Sequence, residues 1–293
     1  MHGIVFAKLL LYFFKRQERE IYWFPSFSLW MVSALLMGNI ICISNQKGGV
    51  GKTTVAVNLA SALAIAEEHT LLIDLDFQGH ATRSLGIDKK KAAKSIFDVL
   101  ESGENTEDII QETNINFLKL IPSGANFLKA ELKFKTRHQG EAPLKKIIDK
   151  IKERFSYIII DSPPAFSTMA LDGINVSDSV LIPLQCEYLA LESFGQYLKF
   201  FNQFIKRNNN HTKILGVLLN MYDPDENISS KIAREIINKF NGMAFNTKIP
   251  RSRLIRESAS SGRPILLSDI SSMEAGSFIS FTREVIGRNS NQE

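Results

Sequence analysis

The sequence predicts an α/β fold: a single doubly wound, mostly parallel sheet with helices on both faces. Three observations predict it. Apolar runs such as Ile40-Ile41-Cys42-Ile43, Leu71-Leu72-Ile73 and Ile158-Ile159-Ile160 show no alternation, as strands buried on both faces require. Stretches with apolar residues at helical spacing separate these runs. Chemistry-bearing residues follow the strand ends: a glycine-rich loop after the first, Asp74 and Asp76 after the second, Asp161 after a later one. Ligands of open α/β sheets bind outside the carboxyl ends of the strands, so three separate readings converge on one site.

The elements follow in order. After the glycine-rich loop, Val55, Val57, Leu59, Ala60, Leu63 and Ala64 predict a helix over 53–66. Thr70 to Leu75 reads as a short strand. Helical pieces are expected at 95–100, 106–112 and 142–154, with a strand at 117–121 among them. Tyr157 to Asp161 is a fully apolar strand closed by a carboxylate, and further strands are expected at 179–183 and 213–219. Helices are expected at 189–206 and 229–240. No internal repeat or long linker is visible, and the tail, residues 289–293, reads as disordered.

The loop itself runs Asn45-Gln46-Lys47-Gly48-Gly49-Val50-Gly51-Lys52-Thr53-Thr54. A strand feeding a glycine-rich turn that opens a helix is the context a phosphate-binding loop needs. Its backbone N–H groups form an anion cradle to which the helix N-terminus adds its positive end. Lys52 is placed to reach β- and γ-phosphates, and the Thr53 hydroxyl to hold Mg2+. An ordinary turn before a helix has no need of this lysine and two threonines at this spacing. The usual G-x-x-x-x-G-K-[ST] pattern fails at its first position, where Gln46 stands, and an extra lysine, Lys47, precedes the glycines.

Composition sets the bounds. A chain of 293 residues with 44% apolar and 23% charged residues can bury one sizeable core. The net charge of +4 advertises no strongly basic face. Cys42 and Cys186 lie in apolar runs without metal-ligand or disulfide spacing, so buried, reduced thiols in a cytoplasmic protein are expected. Residues 1–36 form a separate apolar extension. One apolar run there is too short to span a bilayer, and the other contains Pro25 and leads straight into the first strand. The extension reads as a mis-assigned start ahead of Met37 or a poorly ordered segment, with a membrane anchor as the alternative. Residues 37–288 form the expected domain.

K-G-G-x-G-K-T-T resembles the signature of the deviant Walker A ATPases, the group of P-loop NTPases that holds ParA/Soj partition proteins, MinD, nitrogenase iron protein and the arsenical-pump ATPase. Asp161-Ser162-Pro163-Pro164 resembles the group's D-x-P-P, whose aspartate is the Walker B carboxylate. Leu71 to Thr82 resembles L-L-V-D-x-D-P-Q-G-N-A-T, with Phe77 and His80 departing from it, and Pro183 to Glu192 resembles the ParA stretch P-x-Q-C-E-Y-x-A-L-E. The resemblance extends from Met37 to about Arg288. It implies an ATPase using ATP and Mg2+, with Asp74 and Asp161 supporting the metal alongside Thr53. Gly48, Gly49, Val50, Gly51 and Thr54 complete the cradle, and Asp76 positions the attacking water. Asn220, Pro250 and Arg251 would border the adenine, and Lys47 would cross a homodimer interface to the partner's ATP.

By the same resemblance, the ATP-bound dimer binds DNA non-specifically, associates with the nucleoid and answers to a ParB-like partner. Two arginine positions of the family are Asp225 and Leu254 here, which shifts the expected DNA contacts to Arg253 and Arg256. Two rivals stand beside chromosome or plasmid partition: a MinD-like membrane-cycling regulator and a ParA-like positioner of a non-DNA cargo. The first lacks its basic amphipathic C-terminal helix, since 276–287 carries no exposed apolar stripe, and no stable membrane association is expected. A nitrogenase-like reductase would need a cysteine pair to bridge a cluster, which the chain does not supply.

Overall fold

In the computed structural model, the described residues form a sheet of eight strands in the order β3-β4-β2-β5-β1-β6-β7-β8. Residues 38–88, 94–102, 105–124, 143–164, 166–208, 210–240 and 242–290 are described. The expectations for residues 1–36 and for the final residues 291–293 lie outside them. The strands are β1 Asn39–Ile43, β2 Thr70–Asp74, β3 Gln111–Glu112, β4 Leu118–Ile121, β5 Tyr157–Asp161, β6 Ser179–Gln185, β7 Lys213–Tyr222 and β8 Ala244–Pro250. Every pairing is parallel except that of the two-residue β3 with β4. The chain builds to one side of β1 through β2, β4 and β5, then to the other through β6, β7 and β8. The direction therefore reverses at β1, and the crevice outside its carboxyl end is where such a sheet takes its ligand.

Helices cover both faces, which is why the strands carry apolar residues without alternation. On one face α3 (Ile96–Ser102), α4 (Pro143–Ile151), α5 (Thr168–Asn175), α6 (Ala190–Asn208) and α7 (Asn227–Lys239) pack over Ile40, Cys42, Leu71, Ile73, Ile158 and Ile160. On the other α1 (Lys52–Ile65), α2 (His80–Ser84), α8 (Arg253–Ser260), α9 (Ile265–Ser268) and α10 (Met273–Ser290) cover Ile41, Ile43, Leu72, Ile159, Leu181 and Leu218. Successive residues of one strand thus feed two different cores. Cys42 and Cys186 are buried and free.

Two expectations need correction, and one strand has no counterpart in the sequence reading. Residues 106–112 are not one helix: Thr106–Ile109 makes a single 3-10 turn and Gln111–Glu112 pairs with β4. The edge strand β8 was not expected, because Asn246, Thr247 and Lys248 break its apolar run. The disordered tail was placed too early, since α10 runs on to Ser290. Arg288 explains that extension: its guanidinium donates to Leu215 O and Met243 O, each at 2.9 Å, and to Ala244 O, while stacking 3.9 Å over the Phe245 ring. The apolar stripe of α10, Ala275, Phe278, Phe281 and Val285, is fully buried.

Candidate active site

The glycine-rich loop leaves β1 and turns into α1 through two left-handed residues, Gly49 at φ 77° and Gly51 at φ 86°. Gly51 precedes Lys52, the first residue of α1, so the helix opens directly onto the loop. A Cβ on Gly48 or Gly49 would meet nothing within 4 Å, whereas one on Gly51 would lie 2.2 Å from Asn220 Nδ2. The loop is braced from beneath: Asn220 Nδ2 donates to Val50 O at 2.7 Å, Asn45 Nδ2 to Pro183 O at 2.7 Å, and Gln46 Nε2 to Ser193 O at 3.1 Å. Lys47 N donates to Asn45 Oδ1 at 3.0 Å. Gly48 and Gly49 face solvent, whereas Gly51 is half-buried and Val50 is buried.

The buried Lys52 folds back so that Nζ donates to Lys47 O at 3.2 Å. Burial lowers its pKa, and the charges of Asp161 and Asp76 pull the other way. Thr53 and Thr54, half-buried, follow on the first turn of α1. Ile43, the last residue of β1, pairs with Asp161, and Asp161 in turn pairs with Asp74 of β2. Asp74 is fully buried and saturated: it accepts from Thr82 N at 2.8 Å, Thr82 Oγ1 at 2.6 Å and Asp76 N at 3.2 Å. Burial still raises its pKa, to about 6. Asp76, 6% exposed, accepts from Gln78 N at 2.9 Å.

Asp161 differs. It is fully buried, yet neither carboxylate oxygen has a hydrogen-bond partner among the described residues. Burial, followed by the charge of Asp74, pushes its pKa well above the usual carboxylate range, with the neighbouring Thr53 hydroxyl working against that shift. A buried carboxylate with both oxygens unsatisfied is costly unless a cation or donor completes it. With Thr53 and Lys52 beside it, this donor set fits a divalent cation that is itself bound to phosphate. No group of three or more His, Cys, Asp or Glu side chains that could hold a metal by itself occurs among the described residues.

The family model described as an AAA domain, AAA_31, matches residues 38–214. The sporulation initiation inhibitor protein Soj of Bacillus subtilis (strain 168) is 39% identical over 249 residues, 85% of this chain and 98% of that protein. The chain belongs to the ParA/Soj family of partition ATPases. The chromosome partitioning protein ParA of Myxococcus xanthus (strain DK1622) is 37% identical, over 86% of this chain and 89% of its own length. Among solved structures, cobyrinic acid a,c-diamide synthase from Mycobacterium smegmatis with bound ADP and magnesium matches with a TM-score of 0.75 at 28% identity, covering 88% of this chain and 97% of that one.

Within this ParA/Soj chain, most residues singled out from the sequence come together. Lys47 to Thr54, Asp74, Asp76, Asp161 and Asn220 share one rim, and the register that sets Tyr222 beside Pro250 adds Pro250 and Arg251 at its far end. Asn220 meets the loop itself through Val50 O. Lys47 is paired inside its own chain, its Nζ 3.0 Å from Glu187 Oε2. Arg253 and Arg256 stand apart, exposed on α8, with Arg253 Nε bonded to Glu257 at 2.6 Å. Sequence reasoning missed Asn45, Gln46 and Glu187 as parts of the site. Gln46 registered only as a departure from the loop pattern, although a polar residue there signals a brace to a neighbouring element.

Proposed function

We propose that this chain is a Mg2+-requiring ATPase that dimerises on ATP, binds duplex DNA non-specifically and segregates or positions chromosome or plasmid DNA with a ParB-like partner. The observation that carries the ATPase reading is Asp161, a fully buried carboxylate with neither oxygen hydrogen-bonded among the described residues, set beside Lys52 at the opening of α1. The names of the relatives, Soj and chromosome partitioning ParA, support the DNA cargo.

In this reading the loop amides from Gly48 to Thr54 and the N-terminus of α1 bind the phosphates, and Lys52 neutralises charge on them. Thr53 and Asp161 would hold Mg2+, with Asp74, whose oxygens already accept from Thr82 and Asp76, supporting them from the neighbouring strand; the ion would add positive charge against the phosphate oxygens. Asp76 orients the attacking water. Lys47 acts in trans as a point charge on the partner's nucleotide. Asn220, Pro250 and Arg251 border the base. Location at the nucleoid in the cytoplasm follows from this reading. A MinD-like membrane cycle is disfavoured because the apolar stripe of α10 is spent in the core. No described helix is long and apolar enough to cross a membrane.

DNA contact would be made by Lys and Arg to phosphate, so affinity should fall steeply with salt. Retardation of duplex DNA by the ATP-loaded protein, measured across salt, is the test. Arg253→Ala with Arg256→Ala should weaken binding to all sequences alike and flatten the salt slope by about one unit per lost contact. A specific observation favours one other reading: Asp225 and Leu254 replace two family arginines. If the ATP-loaded wild type gives no salt-sensitive retardation, a ParA-like positioner of a non-DNA cargo takes precedence.

A further inference from the structure

Three groups converge on the carboxylate of Glu187, in the turn between β6 and α6. Lys47 Nζ lies 3.0 Å from Oε2, Arg251 Nη2 lies 3.8 Å from Oε1, and Gln185 Nε2 donates to Oε1. The Glu187 backbone N–H donates to Gln185 O at 2.8 Å, so a tight turn holds the carboxylate from behind. Lys47 belongs to the loop after β1 and Arg251 to the residue after β8, with β6 and β7 between those strands. One carboxylate therefore gathers cations from both ends of the site's mouth. A cavity of about 420 Å³ opens there, lined by Lys47, Glu187, Tyr188, Glu226 and Arg251 among others.

We propose that Glu187 is a positioning residue that holds Lys47 within its own chain and competes with nucleotide phosphate for it. The inference rests on the nucleotide reading above. A carboxylate and a triphosphate are alternative anionic partners for one ammonium group, and each repels the other. Side-chain exposures of 42% for Lys47 and 45% for Glu187 mark a weak pair. Such a pair biases a long, flexible side chain in the empty site and yields to a polyanion carrying several charges. Glu187 thereby sets how much nucleotide is needed before Lys47 is released to act.

The test is titration with a fluorescent ATP analogue of the full-length wild type, Glu187→Gln, Lys47→Ala and the double variant. Glu187→Gln should bind about fivefold more tightly at low salt, and the gain should shrink as ionic strength screens the pair. In the Lys47→Ala background most of the gain should vanish, since the two residues act through one contact. A merely structural role would show neither the salt dependence nor the coupling. Weaker or unchanged binding by Glu187→Gln, or an equal gain without Lys47, overturns the proposal. A wild type that binds no ATP at all overturns the nucleotide reading instead.

Discussion

Gly51 and Asn220 approach so closely that no side chain fits between them: a Cβ on Gly51 would stand 2.2 Å from Asn220 Nδ2. That amide in turn donates to Val50 O at 2.7 Å, so a strand-end asparagine and a loop glycine fix the curvature of the phosphate cradle together. Gly51→Ala meets both the clash and a left-handed φ of 86°, and should abolish nucleotide binding. Asn220→Ala leaves a buried carbonyl unpaired and should cost about 1–3 kcal/mol of stability while weakening nucleotide affinity. Denaturant melts and nucleotide titration check both, and an Asn220→Ala protein with wild-type affinity would remove the brace from the account.

Asp74 and Asp161 make stability depend on pH in a stated direction. Both carboxyls have raised pKa values in the fold, Asp74 to about 6, because burial disfavours their charge. Their contribution to stability is therefore fully present below the unfolded carboxyl pKa of about 4, and Asp74's is lost as pH rises through about 6. Asp161→Asn should raise the melting temperature of the nucleotide-free protein at neutral pH, and that advantage should narrow on acidification. The same variant should lose the Mg2+-dependent part of the stabilisation by ATP. A nucleotide-free variant no more stable than wild type at neutral pH would contradict the buried-charge argument.

Asp76 accepts from Gln78 N at the rim, close enough to Lys52 for their charges to interact. Asp76→Ala should leave ATP binding intact and reduce turnover to background, accumulating the ATP-bound dimer. Sedimentation with ATP and phosphate release measure the two effects. Normal turnover would remove Asp76 from the hydrolytic step.

Arg288 holds β7, the turn after α7 and β8 together through three backbone carbonyls. Arg288→Ala should cost about 2–4 kcal/mol, because three charge-assisted bonds to partly buried acceptors are lost together. Chemical denaturation reads the loss directly; a change within error would show that α10 is held by its apolar stripe alone.

The sheet and the phosphate loop were legible because burial on both faces and phosphate binding each impose a residue pattern on contiguous sequence. Ile40 to Ile43 could be little else than an inner strand, and Gly48 to Thr54 little else than an anion cradle. The edge strand β8 escaped because an edge is half solvated: Asn246 and Thr247 give their amides to Glu284 of α10, a pairing no local pattern announces. The site's braces were missed for the same reason. Gln46 to Ser193 and Lys47 to Glu187 join residues about 140 positions apart, and only the strand order brings them together.

Mg2+-dependent ATP turnover by the purified protein, compared with its Lys52→Ala variant, tests the central claim most directly. Lys52 opens α1, is 7% exposed and sits in the field of Asp161 and Asp76, so it is the main counter-charge available to phosphate. The account predicts turnover in the wild type that requires Mg2+, and loss of both ATP binding and turnover in a Lys52→Ala protein that remains folded. A folded Lys52→Ala variant that binds and hydrolyses ATP like the wild type would contradict it.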